Sequence, residues 1–388
     1  MRVAVVTETY PPEVNGVAMT MERMVAGLRD RCHRIQLIRP RQHRGDLPAG
    51  EPGFEEVLTQ GVPIPRYDAL KLGLPARRML RRLWSTKRPD VVHVVTEGPL
   101  GWSALAAADD LRLPICSDFH TNFHTYTGHY RIGWLKHPIA AYLRRFHNKG
   151  LATLVPTDSI RRELEQLGLR NLRVVARGVD TALFSPRRRS ADLRRSWGAG
   201  SDDMVALYVG RLAPEKNLPL VVSAFEAMNR ENARMRLVMV GDGPERAVLQ
   251  SRHPRHVFAG MRLAVDLAAH YASADVFLFP STTETYGNVT MEAMASGLAV
   301  VAYDYAAAAA HIRHGTSGLL AALHDADEFT RLAARLARDP GRVAHLGANA
   351  RVATEKLDWA WIVSEFERAL VEVFRDGGRH EPAHRAAA

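Results

Sequence analysis

Residues 279–302 have the sequence FPSTTETYGNVTMEAMASGLAVVA, in which a polar loop and an apolar helix separate two strand-like runs. The pattern predicts strands over 276–279 and 299–302, a loop around Gly287 and a helix over 288–296. A strand, a helix and a second strand in this order are typical of a parallel sheet covered by helices. The stretch therefore predicts an α/β fold.

Two carboxylates lie eight residues apart in this stretch, with Glu284 before the helix and Glu292 within it. One can meet a hexose hydroxyl while the other meets a ribose diol. The unpaired N–H groups at the helix start and the helix dipole favour a diphosphate between them. These groups belong to Gly287, Asn288, Val289 and Thr290. The alternative is that Glu284 only caps a helix and that Glu292 pairs with a surface base.

The segment GRLAPEK, residues 210–216, adds two basic groups, Arg211 and Lys216. Both carry full positive charge, and an arginine can bind two phosphate oxygens at once. The two carboxylates alone would favour the structural alternative. Together with these bases and the N-terminal loop, they predict a site for a phosphorylated sugar.

The N-terminal segment TETYPPEVNGV, residues 7–17, connects a predicted strand over Arg2–Thr7 to a predicted helix over Val17–Leu28. Asn15 and Gly16 lie in this connection. Gly16 allows the backbone to approach a phosphate closely and to adopt a positive φ if one is required. The alternative is an ordinary turn.

His120 belongs to the segment DFHTNFH, residues 118–124, which follows a predicted strand over Pro114–Ser117. The chain has 17 histidines, and a single histidine is more often structural than catalytic. The position after a strand makes His120 a candidate for the site. Asp118 either orients this loop or caps a turn.

Six segments resemble the motifs of one protein family, in the family's order. They are TETYPPEVNGV, DFHTNFH, GRLAPEKN, VGDGPE, FPSTTETYGNVTMEAMASGLAVVA and HGTSGLL. The family is that of the retaining GT-B glycosyltransferases of family 4, and the resemblance extends from Met1 to about Phe374. The first two segments look most like those of GDP-mannose-dependent α-mannosyltransferases and sulfoquinovosyl-type lipid glycosyltransferases.

The resemblance implies a GT-B fold, in which two doubly wound Rossmann-like domains face a central cleft. It also implies transfer of a hexose, with mannose favoured, from a nucleotide-diphosphate sugar to a hydroxyl of a lipid or glycolipid. The anomeric configuration would be retained. GDP-mannose is the leading donor, and UDP-glucose, UDP-glucuronate and UDP-sulfoquinovose remain open.

The resemblance implies roles for the residues that match the family's motifs. Those that would contact the donor are Asn15, Gly16, Arg211, Lys216, Glu284, Gly287, Asn288, Val289, Thr290 and Glu292. Those that would act in catalysis are His120, Arg211, Lys216 and Glu284. Glu284 would position the hexose and Glu292 the ribose. His120 would hydrogen-bond the donor sugar and support positive charge near the anomeric centre, while His124 would support the acceptor.

We predict neither a cofactor besides the donor nor an essential metal ion. Arginine, lysine and helix N–H groups can stabilise the leaving diphosphate. No cysteine and histidine cluster has zinc-ligand spacing. Asp325 and Asp327 precede a predicted helix, so we interpret them as N-terminal capping residues.

Length and composition indicate two domains. The chain has 388 residues, of which 46% are hydrophobic, enough for two cores. The segment 185–203 is rich in charge, serine and glycine and is predicted to connect them. The predicted parts are an acceptor-side domain (1–185), a donor-binding domain (198–355), a helix that crosses back to the first domain (356–376) and a disordered tail (377–388).

The net charge of +10 predicts an anionic partner. We exclude nucleic acid because no nucleic-acid-binding motif accompanies the charge. Only two cysteines are present, which is typical of a reducing compartment. No apolar run approaches the roughly 20 residues of a membrane span. We therefore expect a cytoplasmic protein, with peripheral binding to the inner face of the plasma membrane as a further possibility.

The segment KLGLPARRMLRRLW, residues 71–84, separates arginines from apolar side chains on a helical projection. This pattern fits a helix lying on an anionic membrane surface. It fits an ordinary surface helix with a solvated basic face equally well. The overall basicity favours contact with anionic lipid.

The run Ala306–Ala310 departs from the family, many members of which have a glycine-rich turn and an acidic residue at this place. A bulkier loop without the acid would alter the phosphate pocket. Two other functions therefore remain: the same fold acting on a soluble glycan, and a nucleotide-sugar-binding protein without catalysis.

Overall fold

The computed structural model describes residues 1–13, 15–43, 45–64, 67–120, 136–284, 286–355 and 357–379. The chain divides into two compact units. Unit 1 combines Met1–Arg177 with the chain from Trp359 onward, and unit 2 comprises Gly178–Asp358.

Unit 1 is built on a mainly parallel sheet. Its strands are β1 (Arg2–Val6), β2 (Arg34–Pro40), β3 (Gly50–Glu51), β4 (Phe54–Thr59), β5 (Gly61–Ile64), β6 (Tyr67–Gly73), β7 (Val91–Val94), β8 (Ile115–Asp118), β9 (Ala152–Val155) and β10 (Leu172–Val174). Its helices are α1 (Gly16–Asp30), α2 (Arg77–Thr86), α3 (Pro99–Asp110), α4 (Lys136–His147), α5 (Asp158–Gln166) and the terminal helix (Trp359–Arg379). Eight strands lie in the order β10-β9-β8-β7-β1-β2-β4-β3, while β5 and β6 form a separate antiparallel ribbon.

Alternate residues of β1 enter two different cores. Val3 and Val5 pack with α1 and the terminal helix, whereas Ala4 and Val6 pack with α2 and α3. Because successive side chains of a strand point to opposite faces, helices cover both faces of the sheet. Gly27 lets α1 meet the terminal helix, since a Cβ there would lie 2.5 Å from Cγ2 of Val363.

The terminal helix packs within unit 1, as Ile362, Phe366 and Leu370 are buried in the core that contains β1. It begins and ends later than the predicted helix over 356–376. Residues 377–379, predicted as part of a disordered tail, are helical, and 380–388 lie outside the described residues.

Unit 2 is built on a six-stranded sheet in which every pair is parallel. Its strands are β11 (Val205–Val209), β12 (Arg236–Val240), β13 (Val257–Gly260), β14 (Val276–Phe279), β15 (Ala299–Tyr303) and β16 (Leu319–Ala321). Its helices are α6 (Ala191–Ser196), α7 (Leu218–Glu231), α8 (Arg246–Arg252), α9 (Ala264–Ala272), α10 (Asn288–Ala295), α11 (Ala306–His311), α12 (Ala326–Ala337) and α13 (Pro340–Thr354). The strand order is β13-β12-β11-β14-β15-β16. Asp325 caps α12 by accepting the N–H of Glu328, which confirms the predicted cap.

The segment 185–203, predicted to connect the domains, belongs to unit 2. Arg194 in this segment is only 4% exposed. It donates hydrogen bonds to the carbonyl oxygens of Ser273 and Gly200 at 2.8 and 3.1 Å, and it pairs with Asp275 at 3.1 Å. A buried arginine with these partners ties the segment to the sheet of unit 2, so the division falls at Arg177 and Gly178 instead.

The predicted helix over 71–84 is only partly correct. Residues up to Gly73 form β6, and α2 begins at Arg77. Leu80 and Trp84 are buried in the core of unit 1, whereas Met79 is exposed. The apolar face of α2 therefore serves the core of its own unit, as in an ordinary surface helix. Within the described ranges, we find no helix with the length and apolar character of a membrane span.

A buried arginine on β2 is held between two carboxylates. Arg39 donates to Asp46 and to Glu56, each at 2.6 Å, and its side chain is 5% exposed. The hydrogen bond from Arg39 outweighs the effect of burial and lowers the pKa of Asp46 to about 2. The triad fixes the chain that follows β2 against β4.

Asp46→Asn is expected to lower the free energy of unfolding by roughly 2 kcal/mol at neutral pH, the value of a hydrogen bond between charged groups. A carboxylate with a depressed pKa stabilises the fold above its unfolded-state pKa and loses this contribution as the pH falls through the folded-state pKa. The difference from the wild type should therefore shrink below about pH 4. Urea denaturation at neutral and acidic pH measures it. Glu51→Gln, which removes an exposed partner of Arg29, is the control. A loss independent of pH would contradict the assignment.

Candidate active site

Two loops of unit 2 leave its sheet at the point where the strand order reverses. The strands β11 and β14 are neighbours, but the chain continues from them toward opposite edges of the sheet. Loops diverging from the carboxyl ends of such strands leave a crevice that typically binds ligands. The loop after β11 carries Arg211 and Lys216, and the loop after β14 carries Glu284. The topology thus places three predicted site residues at one crevice.

Lys216 and Glu284 form an ion pair, in which Nζ of the lysine donates to Oε1 of the carboxylate. Their side chains are 15% and 17% exposed. Ser281 donates a second hydrogen bond to the same oxygen at 2.7 Å. Glu284 therefore has a fixed orientation and forms an ion pair with Lys216, which differs from the alternative in which it only caps a helix.

Arg211 is less buried than Lys216, with 43% of its side chain exposed. Its guanidinium lies 3.7 Å from the buried carboxylate of Glu215. The backbone of Arg211 is fixed by a hydrogen bond, because the buried hydroxyl of Tyr208 donates to its carbonyl oxygen at 3.0 Å. The backbone of this loop is thus fixed at Arg211, whose side chain remains partly exposed.

The start of α10 lies beside Glu284. Gly287 precedes the helix in the left-handed conformation, with φ of 92°, which glycine adopts without strain. Glycine has no side chain with which to cap a helix, and no capping bond is found in the described part of this loop. The N–H of Thr290 donates to the carbonyl oxygen of Gly287 at 3.0 Å. The N–H groups of Asn288 and Val289 at the helix start are therefore the ones suited to an anion.

Glu292 lies in the second turn of α10 and is partly buried. Its Oε2 accepts a hydrogen bond from the hydroxyl of Tyr271 on α9 at 2.8 Å. Burial raises the pKa of Glu292 to about 7, against the opposing effect of the Tyr271 hydrogen bond. Among the described residues no basic group pairs with Glu292, so the alternative of a surface ion pair does not fit.

A pocket borders Glu284 and the start of α10. Its lining is Phe279, Ser281, Glu284, Tyr286, Thr290, Ala302, Tyr303, Tyr305, Ala306 and Ala308. The alanine run forms the short helix α11, whose first turn is buried against this pocket. The N–H of Ala307 donates to the carbonyl oxygen of Tyr286 at 2.8 Å. Methyl groups of Ala306 and Ala308 therefore form part of the wall of the pocket.

The predicted phosphate loop of unit 1 is a helix cap. Oδ1 of Asn15 accepts the N–H groups of Val17 and Ala18 at 3.0 and 2.9 Å, and its amide donates to Thr9. Gly16 is exposed and begins α1, and its φ is not positive. The side chain of Asn15 is thus committed to the cap, and Gly16 offers its backbone.

His120 lies in unit 1 at the end of β8. Its Nε2 is 2.9 Å from Oδ2 of Asp118, and its Nδ1 is 2.7 Å from the guanidinium of Arg177. Asp118 thus orients this loop, as one of the two interpretations predicted. His124 lies outside the described residues. Within those residues, no group of three or more His, Cys, Asp or Glu side chains is arranged to hold a metal ion.

Three groups near these residues were not predicted: Ser281, Tyr271 and Arg177. Ser281 precedes Glu284 by three positions, and a polar residue so close was the only local signal. Tyr271 and Arg177 are distant in sequence from the residues they contact, so no local pattern indicates them.

Comparison with known proteins shows the fold and the family of this chain. The model of Glycosyltransferase Family 4 matches residues 14–183, and that of Glycosyl transferases group 1 matches residues 203–339. Sucrose-phosphate synthase from Thermosynechococcus elongatus has the same fold, with a TM-score of 0.78 at 18% identity over 97% of this chain and 99% of that one. The two Rossmann-like units and the crevice define a GT-B glycosyltransferase.

Sequence relatives match most of the chain. The GDP-mannose-dependent alpha-mannosyltransferase of Mycobacterium tuberculosis is 36% identical, covering 89% of this chain and 88% of that protein. The sulfoquinovosyl transferase of Arabidopsis thaliana is 30% identical over 92% of this chain and 71% of that protein. The alpha-monoglucosyldiacylglycerol synthase of Acholeplasma laidlawii is 25% identical over 92% and 93%. The chain belongs to the group 1 glycosyltransferases of family 4, which confirms the resemblance found in its sequence.

Proposed function

We propose that this glycosyltransferase transfers mannose from GDP-mannose to a hydroxyl of a lipid or glycolipid, with retention of configuration. The observation that carries the proposal is the Lys216–Glu284 ion pair at the crevice of unit 2, beside the start of α10, where the described part of the loop provides no side-chain cap. It offers a cation for phosphate and a carboxylate for a sugar hydroxyl. The names of the mannosyltransferase and glycolipid-synthase relatives support the donor and the acceptor class.

The chemistry follows from where charge develops. As the bond from the anomeric carbon to the phosphate oxygen breaks, the sugar becomes oxocarbenium-like and the phosphate gains negative charge. Lys216, Arg211 and the N–H groups of α10 stabilise that phosphate, and no metal ion is required. The departing phosphate accepts the proton of the attacking hydroxyl on the same face. Lys216 and Ser281 orient Glu284 as a hydrogen-bond acceptor through Oε1. Attack from the same face as the departing phosphate requires no enzymatic nucleophile, so Glu284 has no such role.

A panel of labelled nucleotide sugars, incubated with a membrane lipid extract, tests this proposal. We expect mannose from GDP-mannose to enter the organic extract, and analysis of the product to show an α linkage. Label in an aqueous glycan would favour the soluble-acceptor alternative. Donor binding by calorimetry without transfer would favour the non-catalytic alternative, toward which the altered pocket wall at Ala306–Ala308 points.

The pKa of Glu292, raised by burial to about 7, predicts that donor affinity depends on pH. The ionised carboxylate accepts hydrogen bonds from ribose hydroxyls better than the protonated acid. We therefore expect affinity for GDP-mannose to increase as the pH rises through about 7. A nucleotide sugar is the right probe because its diphosphate, esterified at both ends, does not titrate in this range.

Calorimetry on the wild type and on Glu292→Gln measures this dependence. The glutamine variant should bind more weakly at alkaline pH and show a flat profile. Asp304→Asn, at an exposed position after β15, is the control. If the pH dependence of GDP-mannose affinity is the same in Glu292→Gln as in the wild type, Glu292 does not contact the ribose.

We also propose that unit 1 meets anionic lipid headgroups through α2, as a peripheral protein on the cytoplasmic side of the membrane. Arg78, Arg81 and Arg82 are exposed there, and each exposed cation near an anionic surface contributes about 1 kcal/mol. Flotation with anionic vesicles should decline when all three are changed to glutamine. Replacing the exposed Arg230, Arg252 and Arg255 of unit 2 removes equal charge as the control, and an equal decline would contradict the proposal.

A further inference from the structure

Arg177 is a buried cation that neither the sequence motifs nor the proposed chemistry uses. It follows β10 in unit 1 and is 6% exposed. With Asp118 and His120 it lines a second pocket, bordered by Thr20 of α1 and Phe366 of the terminal helix. The side chains of His120 and Asp118 are 8% and 10% exposed. Buried charged groups are costly unless they are paired and hydrogen-bonded, so these three side chains must serve as one another's partners.

The hydrogen bonds of these three residues leave His120 one protonation state. A guanidinium can only donate, so Nδ1 of His120, 2.7 Å from Arg177, must accept. The proton of the neutral ring is then on Nε2, where it is donated to Oδ2 of Asp118 at 2.9 Å. A cationic ring would carry a second proton on Nδ1, directed at the guanidinium.

The surrounding charges agree with a neutral ring. Burial by itself would raise the pKa of Asp118, but His93 and His120 hold it well below its usual value, so Asp118 is anionic and balances Arg177. Burial lowers the pKa of His120; Asp118 and Glu97 oppose this effect, and Arg177 adds to it. His93 contributes a further hydrogen bond to Asp118 at 3.1 Å.

We propose that Arg177 is a positioning residue that holds His120 as the neutral tautomer protonated on Nε2. Both ring nitrogens are then engaged within unit 1, in contrast to the predicted nitrogen contact from His120 to the donor sugar. The benefit of neutrality rests on the proposed function: an imidazolium near the anomeric carbon would oppose the positive charge that develops there. The tautomer itself does not depend on that function.

Nuclear magnetic resonance on the ligand-free, full-length chain tests the tautomer. Long-range proton–nitrogen correlations in protein labelled at histidine identify the protonated nitrogen, and the spectrum of His120→Gln assigns the signal among the 17 histidines. We expect the wild type to be protonated on Nε2 at neutral pH. Protonation on Nδ1 would overturn the proposal, and this measurement needs no variant of Arg177.

Variants of Arg177 give a second readout. Arg177→Met should raise the pKa of His120 and allow the ring to become cationic, whereas Arg177→Lys keeps a donating cation and should restore the wild-type titration. Arg173→Met removes an arginine from β10 that pairs with Glu372, and it should leave His120 unchanged. An unaltered His120 titration in a folded Arg177→Met protein would also overturn the proposal.

The pH profile of transfer separates this inference from the proposed function. In Arg177→Met the acidic limb of kcat should move to higher pH, and it should return with Arg177→Lys. If no donor supports transfer while the resonance results hold, the proposed function fails and the tautomer assignment stands. If transfer occurs and the pH profile of kcat is the same in Arg177→Met as in the wild type, Arg177 does not have the proposed positioning role.

Discussion

Replacing Lys216 by methionine is expected to lower kcat for hexose transfer by 100-fold or more, on the order of the loss seen when one preorganised electrostatic contact to a transition state is removed. The lysine holds its charge at the crevice on a side chain that is only 15% exposed, where water screens it weakly. Its loss also leaves the carboxylate of Glu284 without its cation. Steady-state kinetics at saturating donor measures the effect.

Two comparisons make this prediction specific. Lys149→Met removes a lysine from unit 1 that lies 4.0 Å from Asp109 and is 40% exposed, and it should retain full activity. The pair Lys216→Met with Glu284→Gln should lose less than the product of the two single losses, because residues in contact are not independent. If Lys216→Met lowers kcat by less than about tenfold, that is, by less than roughly 1.4 kcal/mol, Lys216 does not stabilise the charge on the leaving phosphate. Arg211 and the N–H groups of α10 would then provide that stabilisation alone.

The elements and charged residues of the crevice were predictable because their signals are local. Strands such as β11 and β14 are short apolar runs, and Gly287 indicates the loop before α10. A shared site for Lys216 and Glu284 was inferred from their charges and chemistry, but no local pattern indicates their direct pairing, since the two lie on loops after different strands. Topology supplies the reason: these strands are neighbours where the sheet order reverses.

What escaped prediction depends on contacts distant in sequence. Tyr271 reaches Glu292 from another helix, and Arg177 reaches His120 from another strand end. The segment 185–203 has the composition of a connection, yet Arg194 buries its guanidinium in unit 2. Likewise the chain before α2 satisfies a helical projection, but Gly61 and Gly73 pair across the β5–β6 ribbon. In each case tertiary partners override a local pattern.

Alanine at Gly241 is expected to displace the loop that carries Arg211 and Lys216. A Cβ at this position would lie 2.0 Å from the carbonyl oxygen of Gly210, a backbone atom that cannot rotate away. The φ of Gly241 is 132°, a conformation that alanine adopts only under strain. The neighbouring chain is tied in as well, since the N–H of Leu212 donates to the carbonyl oxygen of Asp242 at 2.9 Å. The substitution is therefore expected to shift the backbone of the loop that carries Arg211 and Lys216.

We expect Gly241→Ala to cost roughly 3 kcal/mol of stability and to reduce transfer about 100-fold in protein that remains folded, because small misplacements of catalytic groups have large effects on rate. Gly198→Ala is the matched control: its φ is 72°, but its nearest neighbour would be a side-chain atom of Arg236 at 3.7 Å. It carries the backbone strain without the collision, so it should cost about 1 kcal/mol and retain activity. Thermal denaturation together with kcat and KM distinguishes the two variants. If Gly241→Ala behaves like Gly198→Ala in both measurements, the backbone of Gly210 does not depend on this contact, and the positions of Arg211 and Lys216 must be set by Tyr208 and the rest of their own loop.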